Sequence, residues 1–247
     1  MKERVKYKVR KISDAVALVS VELILVFVFF LISLTVLIVV IRQLFYRDDF
    51  ALDQTIFNYF STRITATNTS VMLFTSFFGS ELFLVPAWLS VLGFFYFIRK
   101  NKWYFFKLLT IAVSNLGLLF GLKFLFNRAR PLLPVVSEAP GLSFPSGHAF
   151  MSFIFFGMII HLVYRNMKNS LFKWISMLLL MLIIVLIGIS RIYLRVHYAS
   201  DVIAGYCFGM LSLLLLFLLL RQIEKYNLAI LPPALNITKA GKDPLQP

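Results

Sequence analysis

Three short stretches of this chain carry residues that could do chemistry together, and each lies at the end of an apolar run. The first is Lys123-Phe124-Leu125-Phe126-Asn127-Arg128-Ala129-Arg130-Pro131. The second is Pro145-Ser146-Gly147-His148. The third runs from Ser190-Arg191 through Arg195 and His197 to Asp201. Lys123, Arg130 and Arg191 are cations without a comparable set of carboxylates nearby. They suit the oxygens of a phosphoryl group, and arginine does so with paired hydrogen bonds. His148 and His197 can supply a nucleophile and a proton donor. Asp201 follows His197 by four positions, so on a helix its carboxylate reaches the imidazole, fixes the tautomer and stabilises the cation. No cluster of Asp, His or Cys stands here at metal-ligand spacing, so no metal and no cofactor are expected, and the cations are expected to supply the electrostatics.

The local signals sharpen the picture. Pro145 and Ser146 are helix-start residues. The free N–H groups of such a start make an anion site, which Gly147 lets an anion approach closely. His148 then stands at its rim. Pro131 ends the helix before it. Lys123 and Arg130 are seven apart and share nearly one face if the helix persists between them. Arg128 and Arg195 read equally as phosphate or lipid-headgroup contacts. Glu81 reads first as a helix-start carboxylate and second as a partner of a motif cation. His161, outside any motif, reads as structural.

These stretches must be held by the elements around them. Of 247 residues, 60% are hydrophobic and 15% charged, against about 45–50% and about 25% in soluble domains; the mean hydropathy is +0.86. Apolar runs without alternation predict an all-α, polytopic membrane protein with six spans, near 16–41, 70–98, 103–126, 147–164, 174–190 and 199–220. Residues 1–220 form one membrane domain, and 221–247 read as a cytoplasmic, disordered tail. The run after the basic N-terminal segment is too long for a signal peptide and reads as the first span.

The net charge of +14 admits nucleic acid, anionic lipid or anionic substrate as partner. In a membrane chain the loop charges read instead as the positive-inside signal, which excludes nucleic acid as the explanation. Lys2 to Lys11, Arg99 to Lys102, Arg165 to Lys173, and Arg221 with Lys225 all fall on one side of a six-span chain. That side is therefore expected to be cytoplasmic, with both termini, and the three motif stretches on the outer face. The connection 42–69 carries Leu52, Ile56, Phe57 and Phe60 at a spacing that suits an amphipathic helix on the interface; a plain connecting helix fits as well. Cys207, alone of its kind, can form no intrachain disulfide.

With these residues in place, the chain resembles the type 2 phosphatidic acid phosphatase superfamily, which includes the vanadium haloperoxidases. The family pattern is Lys-x6-Arg-Pro, then Pro-Ser-Gly-His, then Ser-Arg-x5-His-x3-Asp. Lys123, Arg130 and Pro131 match the first part, Pro145 to His148 the second, and Ser190, Arg191, His197 and Asp201 the third. The resemblance implies a helical-bundle core like that of acid phosphatase and vanadium haloperoxidase. It also implies a division of labour. His197 attacks phosphorus, Asp201 holds and polarises it, and His148 protonates the leaving oxygen and then helps water attack. Lys123, Arg130, Ser146, Gly147 and Arg191 hold the phosphoryl oxygens, and Ser190 is structural. The implied activity is metal-independent hydrolysis of a membrane lipid phosphate or diphosphate at a bacterial inner membrane. Undecaprenyl diphosphate or phosphatidylglycerophosphate come first. A lipid phosphotransferase of the same fold and a non-catalytic lipid transporter are the alternatives.

Overall fold

The structure is a computed structural model, and it describes residue 24, residues 26–132, 134–135 and 141–230, with side chains to 223. Among the described residues eight α-helices follow in order: α1 (Val26–Tyr46), α2 (Ala51–Ser61), α3 (Ala66–Phe77), α4 (Glu81–Gly93), α5 (Lys102–Phe126), α6 (Gly147–Asn166), α7 (Leu171–Tyr193) and α8 (Ala199–Ile230). They supply six segments long and apolar enough to cross a membrane. The basic N-terminal segment, the start of the first span and the tail beyond 230 lie outside the described residues.

Leu82 and Phe124 are 76% and 85% exposed. Side chains of this kind on the outside of a helical bundle belong in lipid, where they need no protein partner. What holds the helices together in that medium is close packing of small and shape-matched residues. α6 is the centre of the bundle. Its Phe150, Ile154 and Met158 are fully buried against Ile111 of α5 and Ile187 of α7. α8 approaches α6 closely because position 205 is glycine; a Cβ there would stand 3.0 Å from the Ser146 carbonyl oxygen and 3.2 Å from Ala149 Cβ. α1 packs through Leu37, Val40 and Leu44 onto Phe144 and onto Ala204, Cys207 and Leu211 of α8. Inside the bundle, Ser212 donates to Asn115 at 2.7 Å, and Asn115 in turn donates to the Ile111 carbonyl at 2.8 Å, so neither polar group is left bare.

Three departures from the sequence expectation have local causes. The second span is not one helix from 70 to 98: α3 and α4 are separated by a turn at Phe78–Ser80, and a π-helical turn, Phe94–Ile98, completes it. Ser80 turns its hydroxyl onto the Phe77 carbonyl at 2.7 Å and leaves helical geometry at ψ 159°, the competition by serine that favours helix ends. α1 continues to Tyr46, past the expected 41. α8 continues to Ile230, so residues 221–230 are helix and not disordered tail; Arg221, Gln222, Glu224 and Lys225 are good helix formers, and no breaker occurs before Pro232.

The connection between the first two spans is a helix with a packed face. Ile56 and Phe60 of α2 pack on the buried residues Ile192, Ala199 and Val202, and Phe57 meets the Tyr198 ring edge-on at 5.5 Å. Leu52 is exposed. The stripe expected to lie on the interface therefore rests largely on α7 and α8. Tyr193 fixes the next segment, with its hydroxyl 3.2 Å from both the Thr65 amide and the Thr69 hydroxyl.

Candidate active site

The three motif stretches converge at one end of the bundle. α5 stops at Phe126 because Asn127 adopts the left-handed conformation, φ 43°, which asparagine tolerates better than most residues. The helix therefore does not persist to Arg130, and Lys123 and Arg130 do not share a helical face. They meet another way. Lys123 Nζ donates to the Leu142 carbonyl at 2.5 Å, and Arg130 Nε donates to the adjacent Gly141 carbonyl at 3.1 Å. Arg130 Nη1 also donates to the Val196 carbonyl at 3.0 Å and stands 3.5 Å from His197 Nε2.

His197 lies in the short loop between α7 and α8, before the helix begins, so its reach to Asp201 is across the α8 N-terminus and not within a helix. Its Nδ1 is 3.6 Å from Asp201 Oδ2. Asp201 is fully buried and richly supplied with donors: Arg128 Nη1 at 2.6 Å, the Tyr198 amide at 2.9 Å, and the Ser143 hydroxyl in a very short contact. Ser143 Oγ is also 3.4 Å from His197 Nδ1. A carboxylate held from several sides has one orientation left, and that orientation points an edge at the imidazole. This leaves Nε2 as the nitrogen facing Arg130 and the remaining cations.

Burial holds the His197 imidazole well below its ordinary range, to about 4, against the upward pull of Asp201. Burial likewise lowers Arg130, and Asp201 opposes it. A depressed value keeps the imidazole neutral, hence nucleophilic, to lower pH than a free histidine. The acid limb of kcat/KM belonging to His197 is expected below pH 6.5, the ordinary histidine value. A pH–rate profile corrected for the substrate's own second ionisation checks this; a limb above 6.5 would contradict the burial argument.

α6 begins at Gly147 with Ser146 as its N-cap, yet the Ser146 hydroxyl makes no capping bond. Ser146 Oγ and Arg191 Nε are buried polar atoms with no hydrogen-bond partner among the described residues. Such groups are costly unless something meets them. The Arg191 guanidinium is placed by its other arm, Nη1 donating to Ser76 of α3 at 2.6 Å. Among the described residues no carboxylate oxygen lies within 4.0 Å of Lys123, Arg130 or Arg191. These three cations thus keep charge to offer an anion, and His148 and His197 lie within their electrostatic reach. Among the described residues no three His, Cys, Asp or Glu gather as metal ligands would.

His148 is seated by Gly79, at the turn between α3 and α4. A Cβ on residue 79 would stand 3.3 Å from His148 Cδ2 and 2.5 Å from Ile187 Cγ2. Gly79→Ala is therefore expected to press on Ile187 and on His148 and to lower kcat by about tenfold, less than the roughly hundredfold that a misplacement of about 1 Å can cost. Steady-state kinetics on folded variant check it; a kcat within twofold of the natural protein would show that Ile187 yields instead.

Other residues fall elsewhere. Arg128 binds carboxylates, Asp201 and Asp53, and no longer divides evenly between phosphate and headgroup. Arg195 is left-handed at φ 55°, its guanidinium 5.8 Å from the Phe57 ring centre. Glu81 is exposed in the first turn of α4 and pairs with no motif cation among the described residues. Ser190 turns back to the Ile187 carbonyl at 2.6 Å. His161 stacks on Phe217, ring centres 4.6 Å apart. Sequence reasoning missed Ser143, Ser76, Gly79, Asp53 and Ser200. Ser143 stands two residues before Pro145 and could have been tied to the second motif; the others carry no motif signal.

The family model described as the PAP2 superfamily matches residues 103–225. Phosphatidylglycerophosphatase B of Bacillus subtilis (strain 168) is 31% identical over 149 residues, 60% of this chain and 70% of that protein. The crystal structure of a transmembrane PAP2-type phosphatidylglycerolphosphate phosphatase from Bacillus subtilis superposes with TM-score 0.67 at 25% identity, covering 81% of this chain and 96% of that one. LpxE of Aquifex aeolicus superposes with TM-score 0.53 at 28% identity, covering 68% and 96%. With the six spans, the converging motifs and these likenesses together, the chain belongs to the PAP2 superfamily and is a membrane-embedded phosphatase of that family.

Proposed function

We propose that this protein hydrolyses a membrane lipid phosphate or diphosphate, the monoester of phosphatidylglycerophosphate before the anhydride of undecaprenyl diphosphate, through a phosphohistidine on His197. The observation that carries the reading is the crowd of cations around one buried imidazole: Arg130 Nη1 3.5 Å from His197 Nε2, with the buried Arg191 Nε and Ser146 Oγ still to be met. The likeness to a phosphatidylglycerophosphatase puts that lipid first.

In the first step Nε2 attacks phosphorus, the P–O bond to the lipid alcohol (or, in a diphosphate, to the inner phosphate) breaks, and His148 gives its proton to the leaving oxygen. The Nδ1 proton stays on His197, held by Asp201, whose charge stabilises the cationic phosphohistidine. In the second step His148 takes a proton from water, the water oxygen bonds to phosphorus, and the P–N bond breaks. Inorganic phosphate leaves and His197 is neutral again. Lys123, Arg130, Arg191, Ser146 Oγ and the Gly147 amide hold the equatorial oxygens, whose negative charge they stabilise without a metal. Basic loops on the opposite side from the motifs support an outward-facing site with both termini cytoplasmic.

The test is phosphate release in detergent from phosphatidylglycerophosphate, undecaprenyl diphosphate and phosphatidic acid, each with excess EDTA. Release from the first that survives EDTA and is inhibited by vanadate, a mimic of the five-coordinate state, is the expected result. Activity lost in EDTA and restored by a divalent cation contradicts the mechanism; no release from any lipid phosphate sinks the substrate class.

A further inference from the structure

The outer connection carries a charge into the heart of the site. Asp53 of α2 is 2% exposed, although α2 lies outside the bundle. One of its oxygens accepts from the Ser200 amide at 2.9 Å, the other from the Ser200 hydroxyl at 2.6 Å and from Arg128 Nη2 at 2.8 Å. The other arm of the same guanidinium, Nη1, donates to Asp201 at 2.6 Å and to the Ser200 hydroxyl at 2.8 Å. The Tyr198 ring closes the far side, 4.1 Å from Arg128 Cζ. One arginine is thus divided between two buried carboxylates, and one of the two belongs to the His197 pair.

We propose that Arg128 and Asp53 are positioning residues for the reaction: Arg128 fixes the Asp201 carboxylate beside His197, and Asp53, by claiming half of Arg128, keeps Asp201 negative enough to stabilise a charged imidazole. This rests on the phosphohistidine reading given above.

The electrostatics give the sign of each effect. Paired with Asp201 alone, Arg128 would cancel the charge that the phosphohistidine needs. With Asp53 the trio carries one net negative charge, and His197 is the titratable neighbour of Asp201 that can use it. Removing Asp53's charge therefore raises the barrier to attack. Removing Arg128's charge instead leaves two buried carboxylates facing one another without a counter-ion, which disfavours the native arrangement. Neither group touches the substrate's oxygens in this scheme, so KM is not where the change appears. A plain structural clamp predicts something else: losses that follow stability, with kcat per folded molecule unchanged.

Four variants test this in detergent, on whichever lipid phosphate the natural protein hydrolyses: Asp53→Asn, Arg128→Gln, the double variant and Arg128→Lys. Asp53→Asn is expected to lower kcat by about tenfold to a hundredfold with KM within threefold. Arg128→Gln is expected to lose more. Adding Asp53→Asn to it should recover kcat at least fivefold, because the second change removes the orphaned carboxylate. Arg128→Lys keeps the charge and is expected to retain more activity than Arg128→Gln; it carries the test should Asp53→Asn fail to yield folded protein. Unchanged kcat in folded Asp53→Asn, or additive losses in the double variant, would overturn the positioning role while leaving the phosphatase reading intact. A natural protein inactive on every lipid phosphate overturns both.

Discussion

His197→Ala is expected to lower kcat by about four orders of magnitude or more, the scale on which removing a nucleophile leaves only binding and electrostatic catalysis. The geometry makes the assignment specific. His197 has one nitrogen committed to Asp201 and Ser143, at 3.6 and 3.4 Å, and the other beside Arg130 at 3.5 Å. No such pairing with a carboxylate is found for His148 among the described residues; its neighbour is Gly79, where a Cβ would stand 3.3 Å from its ring. The measurement is rapid-quench trapping with phosphate-labelled lipid. The natural protein should yield an acid-labile, base-stable phosphoprotein, and His197→Ala none. Label retained by His197→Ala, or turnover within a hundredfold of natural, would move the nucleophile elsewhere.

Asp201→Asn should be nearly as damaging and in two ways at once. The buried carboxylate accepts from the Arg128 guanidinium, the Tyr198 amide and the Ser143 hydroxyl. An asparagine amide turns an N–H₂ toward one of these donors and leaves Arg128 with half its charge unmatched. Breaking a buried ion pair on one side costs about 3–5 kcal/mol. The neutral amide also cannot stabilise the imidazole cation or hold its tautomer, which elsewhere costs about 10⁴ in kcat. The expected outcome is a lower unfolding temperature together with a kcat reduced by about 10³–10⁴. Asp201→Asn that melts early but turns over normally when folded would confine the residue to stability.

Much of this site was legible before any fold was known, and the reason is chemical. Lys123, Arg130, His148, Arg191, His197 and Asp201 are of the residue types that suit phosphoryl transfer, and spans of regular length bring their stretches to one end of a bundle. What escaped was set by geometry that spacing does not encode. Asp53 is 75 positions from Arg128 and sits in a connecting helix whose apolar stripe suggested an interfacial role. Nothing local to Asp53 says that this side of the helix is turned inward. Asn127 was invisible as a helix stop because Pro131 appeared to do that work. Gly79 read as part of a span, since a glycine's purpose is visible only in what would collide with a larger residue.

Lys123 and Arg130 hold two consecutive main-chain oxygens, those of Leu142 and Gly141. On the proposed mechanism those carbonyls compete with the substrate for the two cations. A phosphoryl group does not simply add hydrogen bonds to waiting cations; it exchanges an amide oxygen for a charged one, so its advantage is the difference between the two. Weakly basic anions with diffuse charge, such as chloride, gain little from that exchange, whereas a phosphate dianion gains most. On the proposed mechanism the loop is expected to act as a threshold, raising selectivity for phosphate over the background salts of the medium at the expense of absolute affinity.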